Sequence, residues 1–236
     1  MKIVIILTSH EKLGDTGRKT GCWLESLAIP YALFKDAGAA ITFASPQGGP
    51  VPVDPKSESI IASNSTIRRF QKDPEAVSDL SHSHSLDTLK AEDFDMVLLP
   101  GGHGPLWDFP DNDPLRQLLG DFIVQDKPIG LISHGVSALL SLHNSLGGSF
   151  IKGRNLTAFS NSEEQVAGLP AIVPFSLESK LIGLGAFYSK GPDFTSHVVT
   201  DGNIITGQNP ASSMEVSRRM LFLFKETQKK VLPVLY

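Results

Sequence analysis

The 236-residue chain has a single cysteine, Cys22, and no long apolar run. One cysteine excludes an internal disulfide, so a reducing compartment such as the cytoplasm is the expected location. The apolar run of residues 3–7 is too short for the core of a secretory signal. No stretch approaches the roughly 20 apolar residues that a membrane-spanning helix needs. We therefore expect a soluble cytoplasmic protein that does not insert into membranes.

The chain also lacks a strong excess of either charge. Its 21 basic residues against 25 acidic ones give a formal net charge of −4, and no run of five basic residues occurs. This argues against a nucleic-acid partner that would need a basic surface. The length lies at the upper end of what one hydrophobic core holds. We therefore predict a single domain over residues 1–236.

Short apolar runs alternate with longer segments of helical spacing. This alternation predicts an α/β fold with a largely parallel sheet covered on both faces. Residues 45–92 depart from it, because they are rich in proline and glycine at first and then polar; we interpret them as a lid-like insertion. The predicted strands are 2–7, 40–44, 94–99, 128–133, 156–159 and a hairpin of 197–200 with 203–206, and the predicted helices are 23–37, 114–125 and 211–230.

In parallel sheets the functional residues collect at the carboxyl ends of the strands. After the strand 128–133 the chain passes directly into a predicted helix, which places Ser133 on a sharp turn with His134 beside it. This pattern is typical of a nucleophile elbow, where one side chain is exposed beside helix N-terminal amides. The simpler interpretation is that Ser133 only caps the helix.

A second candidate lies at the end of the strand 94–99. Gly101, Gly102 and Gly104 flank His103, and consecutive glycines allow backbone amides to turn toward a ligand, as an oxyanion hole requires. A tight turn without a ligand explains the same residues equally well. The absence of the lysine and hydroxyl residue of a P-loop argues against phosphate binding here.

Eight short motifs, taken together and in order, resemble the ThiJ/PfpI superfamily, which shares its fold with class I glutamine amidotransferases. Their pattern is most similar to the heat-shock-type glyoxalase III proteins. They span nearly the whole chain: Thr8–His10, Lys19–Gly21, Trp23–Glu25, Asp54–Ser57, Pro100–Pro105, Asn161–Glu164, Ser189–Pro192 and Thr206–Ser212.

The resemblance implies a flavodoxin-like three-layer α/β/α sandwich, usually a homodimer, that needs no cofactor and no metal. In glyoxalase III relatives an elbow cysteine attacks methylglyoxal, a histidine relays protons, and thioester hydrolysis gives D-lactate without glutathione. Carried over to this chain, the histidine is His134, the first-helix glutamate that contacts the nucleophile is Glu25, and the acid that supports the histidine is Glu164 or else Glu163. The implied oxyanion residues are Gly101, Gly102 and the backbone of His134. His103 and His10 are expected to line the substrate pocket because they follow core strands.

The elbow departs from the pattern of its relatives. It reads Ser133-His134-Gly135-Val136 where cysteine-His-Gly-Pro is expected. A thiol is readily ionised at a helix N-terminus, whereas an alcohol depends on an aligned base. Three explanations of Ser133 stay open: a deliberate cysteine-to-serine substitution, a natural loss of thiol activity, or a working serine nucleophile.

Other residues offer weaker alternatives. Glu25 is also explained by the favourable helix dipole, and Cys22 is better explained by core packing than by replacement of the missing thiol. His82 and His84 alternate as metal ligands can, but a solvated loop is the simpler interpretation.

We therefore expect a glyoxalase III-like protein with reduced or lost activity on a small carbonyl compound such as methylglyoxal. If active, it is a lyase of the D-lactate dehydratase type or a hydrolase. The alternatives are a holdase-type stress chaperone that recognises unfolded proteins and a serine hydrolase that uses Ser133.

Overall fold

The computed structural model describes residues 1–59 and 65–231, and the side chains up to residue 229. Its helices and strands follow in the order β1 (Lys2–Ile6), α1 (Leu24–Asp36), β2 (Ala40–Ser45), α2 (Pro55–Ser59), α3 (Ser65–Lys72), α4 (Pro74–Ser81), β3 (His84–Ser85), β4 (Met96–Leu99), α5 (Pro105–Asp108), α6 (Asp113–Val124), β5 (Ile129–Ile132), β6 (Asn155–Leu156), α7 (Asn161–Ala167), α8 (Leu177–Gly183), β7 (Phe187–Tyr188), β8 (Val198–Asp201), β9 (Ile204–Gly207) and α9 (Ser213–Val231).

Seven strands form a central sheet in the order β3-β2-β1-β4-β5-β9-β8. All neighbours are parallel except β8 and β9, which form the predicted antiparallel hairpin across Gly202. The order places β1, β4 and β5 side by side at the centre. The segments that follow these three strands therefore meet at one edge of the sheet, which is where the candidate residues lie.

The sheet is buried on both faces because its central strands carry apolar residues or glycine at every position except Lys2, the exposed first residue of β1. In β1, Val4 and Ile6 contribute to one core cluster and Ile3 and Ile5 to the other, as the two-residue period of a strand requires. Helix α6 covers the first face, and α1 and α9 cover the second. This confirms the predicted α/β/α sandwich with a mainly parallel sheet.

The predicted insertion is built from short elements, of which residues 60–64 lie outside the described part of the chain. Helices α3 and α4 pack near α1, and β3 extends the central sheet beside β2. Asp54, Pro55 and Lys56 reach the cavity described below. Whether the segment moves as a lid, and whether residues 1–236 form one domain, stay predictions.

One sequence prediction is corrected and another is made more specific. The strand expected at residues 156–159 is only Asn155–Leu156, and it pairs with β7 in a separate two-stranded sheet, because β9 already occupies the place beside β5. The helix predicted after Ser133 is a 3-10 helix over Ser133–Leu139. All seven of its residues are buried, and it packs closely against the backbone of Leu99 and α5.

No helix in the described ranges 1–59 and 65–231 combines the length and apolar character required to cross a lipid bilayer.

The two faces of the sheet predict contrasting effects for two phenylalanine substitutions. Phe122→Ala empties a fully buried site in α6 and is expected to lower the free energy of unfolding by about 3–5 kcal/mol. Phe222→Ala, on the exposed side of α9, is the matched control and is expected to change it by less than about 0.5 kcal/mol. Urea unfolding measures both, and similar losses in the two variants would contradict this packing.

Candidate active site

Ser133 lies on a strained turn at the carboxyl end of β5. Its φ of 57° places a non-glycine residue in the left-handed region, which costs free energy that surrounding packing must supply. A Cβ atom on Gly101 would lie 2.6 Å from the Cβ of Ser133, and one on Gly135 would collide with the carbonyl oxygen of Leu99. The two glycines therefore let the turn pack tightly. This geometry matches the predicted elbow rather than a simple helix cap.

His134 connects the elbow hydroxyl to a carboxylate. Its Nε2 lies 2.8 Å from Glu164 Oε2, and its Nδ1 lies 3.3 Å from Ser133 Oγ. Because the carboxylate accepts, Nε2 carries the proton and Nδ1 is left to accept from the serine hydroxyl. His134 is thus within hydrogen-bonding distance of the Ser133 hydroxyl. Its position next to Ser133 in the sequence, taken alone, argues against this contact.

A second imidazole shares the same carboxylate. His103 Nε2 lies 2.9 Å from Glu164 Oε1, and the rings of His103 and His134 are 4.3 Å apart between centroids. The sequence placed His103 at the pocket but gave no signal of its bond to Glu164, because 61 residues separate the two. Glu164 therefore fixes the orientation of both histidines.

The electrostatics of this cluster follow from burial and from these hydrogen bonds. Burial acts to raise the pKa of Glu164, but the hydrogen bonds from His103 and His134 outweigh it and hold that pKa well below its ordinary value. Burial lowers the pKa of His134, an effect that His103 strengthens and Glu164 opposes. The site therefore pairs an ionised carboxylate with a neutral imidazole near neutral pH.

The adjacent glutamates of α7 have different roles. Glu163 is fully buried and faces away from the histidines; its Oε2 accepts from the backbone N–H and hydroxyl of Ser160, which caps α7. Its Oε1 accepts from the backbone N–H of Phe194 and from Asn209 Nδ2. Of the two candidate acids, Glu164 is the one that contacts His134.

Glu25 lies in the first turn of α1, close to the glycine loop. The preceding Trp23 donates its backbone N–H to the carbonyl oxygen of Gly101 at 2.8 Å. Burial raises the pKa of Glu25, with a smaller opposing effect of the Trp23 side chain. Within the described residues, no hydrogen bond joins Glu25 to Ser133, and the role of Glu25 beside the nucleophile stays a prediction.

Of the remaining candidate residues, Gly102 and His103 lie at the cavity and His10 does not line it. Gly102 and His103 line the cavity in front of Ser133. Gly102 has a φ of 120°, which favours glycine, and a Cβ there would also collide with the carbonyl oxygen of Gly21. His10 is turned away: it stacks on Trp107 at 4.9 Å, and its Nε2 lies 2.6 Å from the carbonyl oxygen of Lys12. The expectation that His10 contacts substrate is not supported by this position.

Cys22 cannot replace the missing thiol in this arrangement. It is buried, and burial raises its pKa to about 12, with smaller contributions from Asp54 and Glu58. A thiol in that state is a poor nucleophile.

Ser133 and His134 open into a cavity of about 570 Å³. Its walls are mainly apolar. Its basic side chains belong to the exposed residues Arg18, Lys19 and Lys56 at the mouth, whereas the acidic lining residue Asp54 is buried. The lining residues are Leu13, Arg18, Lys19, Trp23, Asp54, Pro55, Lys56, Gly102, His103, Ser133, His134, Phe159, Val166, Ala167, Leu169, Phe194 and Pro210.

His103, His134 and Glu164 also have the donor types of a metal site, and their ligand atoms lie within 4.8 Å of one another. In this structure each carboxylate oxygen instead accepts a hydrogen bond from one imidazole. Binding of a cation would require both histidines to lose the Nε2 proton. His82 and His84 are both exposed and lie at the end of α4 and in the edge strand β3.

The profile of the DJ-1/PfpI family matches residues 24–222, which include the elbow, Glu164 and the glycine loop. The chain belongs to the DJ-1/PfpI family. Among its family relatives, Glyoxalase 3 of Candida albicans is 25% identical over 95% of this chain and 99% of its own length. The glutathione-independent glyoxalase HSP31 of Saccharomyces cerevisiae is 24% identical over 95% and 98%.

Solved structures of family members superpose closely on this one. The Rapid Encystment Protein 24 KDa of Francisella tularensis gives a TM-score of 0.90 at 34% identity, over 94% of this chain and 98% of that one. The dimer, the cytoplasmic location and the recognition of unfolded proteins expected from the sequence stay predictions, because neither the fold nor these relatives bears on them.

The shared carboxylate predicts an acid-sensitive contribution to stability. Because the pKa of Glu164 is lowered by folding, its stabilising effect is present above the ordinary glutamate range and is lost as the pH falls below it. Glu164→Gln is expected to cost about 1–3 kcal/mol at pH 7 and to weaken the loss of stability between pH 5 and pH 3. Urea unfolding across this range measures both effects.

Glu226→Gln, on the partly exposed surface of α9, is the control for removal of one negative charge. It should leave both the stability at pH 7 and the acid dependence close to those of the natural protein. An acid dependence in Glu164→Gln equal to that of the natural protein would contradict the assignment of this contribution to Glu164.

Proposed function

We propose that this protein is a glyoxalase III-like member of its family whose methylglyoxal-to-D-lactate activity is reduced or lost. The observation that carries the proposal is Ser133, which occupies the strained elbow with His134 and Glu164 arranged around it but offers oxygen where the reaction calls for sulfur. Relatives that match nearly the whole chain are named glyoxalases. The substrate class that we propose is a small carbonyl compound, of which methylglyoxal is the test case.

The chemical argument concerns the first step of the reaction. Addition to the aldehyde carbon requires an ionised nucleophile, and a thiol reaches that state far more easily than an alcohol. Ser133 Oγ can give its proton only to His134 Nδ1, which lies at a long 3.3 Å. The same imidazole must then carry the proton between the two substrate carbons. Ser133 therefore places two demands on one base, whereas a thiolate would leave His134 free for the second.

Ser133→Cys provides the direct test. We expect the variant to produce D-lactate from methylglyoxal at least about 100-fold faster than the natural protein, because it restores an ionisable nucleophile at an otherwise intact elbow. A D-lactate-specific assay without glutathione measures the rate. Since Cys22 is buried and resists ionisation, alkylation by iodoacetamide should occur at position 133 alone.

Ser137→Cys is the matched control, because it places a thiol in the same 3-10 helix at a hydroxyl that donates to the carbonyl oxygen of Pro105. It should gain no activity. A natural protein as active as Ser133→Cys would refute the reduced-activity proposal, and so would a folded Ser133→Cys variant with no gain.

A second candidate function, a serine hydrolase, is favoured by the hydrogen-bonded chain from Ser133 through His134 to Glu164. In this reaction Ser133 Oγ would bond to the acyl carbon of an ester while its proton passes to His134 Nδ1. The imidazole would return the proton to the leaving alkoxide, and water would then hydrolyse the acyl-enzyme. Backbone amides of Gly102 and His134, both at the cavity, are the proposed donors to the oxyanion.

A fluorophosphonate tests this candidate, since Ser133 Oγ would bond to phosphorus as fluoride leaves. We expect labelling of the natural protein, none of Ser133→Ala, and retention in Ser137→Ala. The rate should persist below the ordinary histidine range, because the pKa of His134 is lowered. Mass spectrometry of the folded protein locates the adduct. A folded natural protein that stays unlabelled at Ser133 would exclude the hydrolase.

A further inference from the structure

The cavity is much larger than a three-carbon carbonyl compound requires. Its volume is about 570 Å³, whereas a molecule with the few non-hydrogen atoms of methylglyoxal fills on the order of 100 Å³. Cavities of roughly 300–1,000 Å³ are typical of sites for drug-sized ligands. The space in front of Ser133 therefore fits a substrate with a substantial body.

Two aromatic side chains of the cavity select an apolar body. Phe159 is buried and Phe194 is partly exposed; their rings pack edge to face at 6.2 Å, and Phe159 also contacts the ring of His134 at 4.5 Å. Phe194 holds a φ of 57°, and the buried Glu163 accepts its backbone N–H at 2.8 Å. A strained backbone held by a buried carboxylate indicates that the position of this aromatic wall is fixed by the fold.

The mouth of the cavity is charged rather than apolar. Arg18, Lys19 and Lys56 line it, against one acidic lining residue, Asp54. The Asp54 carboxylate is already occupied, because it accepts from the Thr20 hydroxyl and from the backbone N–H of Lys56.

The three basic side chains at the mouth form few ion pairs within the described ranges of the protein, so they are available to a ligand. Lys19 lies 3.7 Å from Glu11 in an ion pair whose side chains are both well exposed. Neither Arg18 nor Lys56 forms a salt bridge with any other residue that the structure describes. The mouth is thus locally positive on a chain whose net charge is −4, which favours an anionic ligand.

We infer that the substrate is an amphipathic anion: an apolar, aryl- or alkyl-sized body next to the reacting carbonyl or ester carbon, and a carboxylate at the far end. The body packs against Phe159 and Phe194, and the carboxylate lies between Arg18 and Lys56 at the mouth. This inference rests on one part of the proposed function, namely that the reacting carbon of the substrate lies at Ser133.

The test is the binding of two compounds that share one apolar body and differ at its end, which is a charged carboxylate in one and a neutral hydroxymethyl group in the other. Isothermal titration calorimetry on the Ser133→Ala variant compares 4-phenylbutyrate with 4-phenylbutan-1-ol at low salt. We expect the acid to bind about tenfold more tightly than the alcohol, and the difference to shrink as the salt concentration rises. Equal affinities, or tighter binding of the alcohol, would overturn the inference.

Three further variants, one of them a control, assign the binding to this cavity. The double variant Arg18→Gln/Lys56→Gln should lose most of the preference for the acid. The control is Arg116→Gln/Lys90→Gln, which removes an arginine and a lysine that lie outside the cavity lining. It should bind the acid with the same preference as the parent variant. Phe194→Ala should weaken both compounds alike. A preference that survives the first double variant, or affinities unchanged in Phe194→Ala, would place the binding elsewhere and refute the inference.

These measurements are independent of turnover. Failure of Ser133→Cys to gain D-lactate formation and of the unsubstituted protein to be labelled by the fluorophosphonate, with the charge preference intact, would reject the proposed functions alone. Loss of the charge preference in a protein that still reacts at Ser133 would reject the substrate class alone.

Discussion

The strained backbone at Ser133 is the constraint from which the rest of the site follows. A left-handed φ at a serine costs about 1–3 kcal/mol, and it persists because β5 is buried on both faces and the following 3-10 helix is buried throughout. Gly101 and Gly135 remove the side chains that would otherwise separate the turn from its neighbours. The strain therefore fixes the hydroxyl of Ser133 at the floor of the cavity and brings His134 beside it.

Helix α7 joins this elbow to the wall of the cavity through two adjacent glutamates. Glu164 accepts hydrogen bonds from His103 and His134, and Glu163 caps the helix and holds the backbone of Phe194. One short helix thus orients the imidazoles and fixes the aromatic wall. Because both carboxylates are buried and fully engaged, a displacement of α7 would disturb the chemistry and the shape of the cavity together.

The family fold and the residues around the elbow are retained, while the atom that would act as nucleophile differs. A hydroxyl and a thiol have similar size, so the substitution leaves the packing of the turn possible while it changes acidity greatly. The geometry around Ser133 is therefore compatible with both of the chemistries proposed above. The wide apolar cavity with its cationic mouth adds a further difference, since it exceeds what a three-carbon substrate occupies.

The amino-acid sequence by itself determined the sandwich, because the apolar runs of β1, β4 and β5 and the glycine after α1 are local signals that packing did not override. It also placed Ser133, His134 and the glycine loop at strand ends, and the resemblance narrowed the supporting acid to Glu163 or Glu164. Only the tertiary structure decided between those two, turned His10 onto Trp107, and brought His103 to Glu164. It also moved the strand expected at residues 156–159 into a separate two-stranded sheet and made the helix after Ser133 a 3-10 helix. These features depend on contacts between residues far apart in the chain. The periodicity and spacing of residues in the sequence do not predict the direction of a side chain.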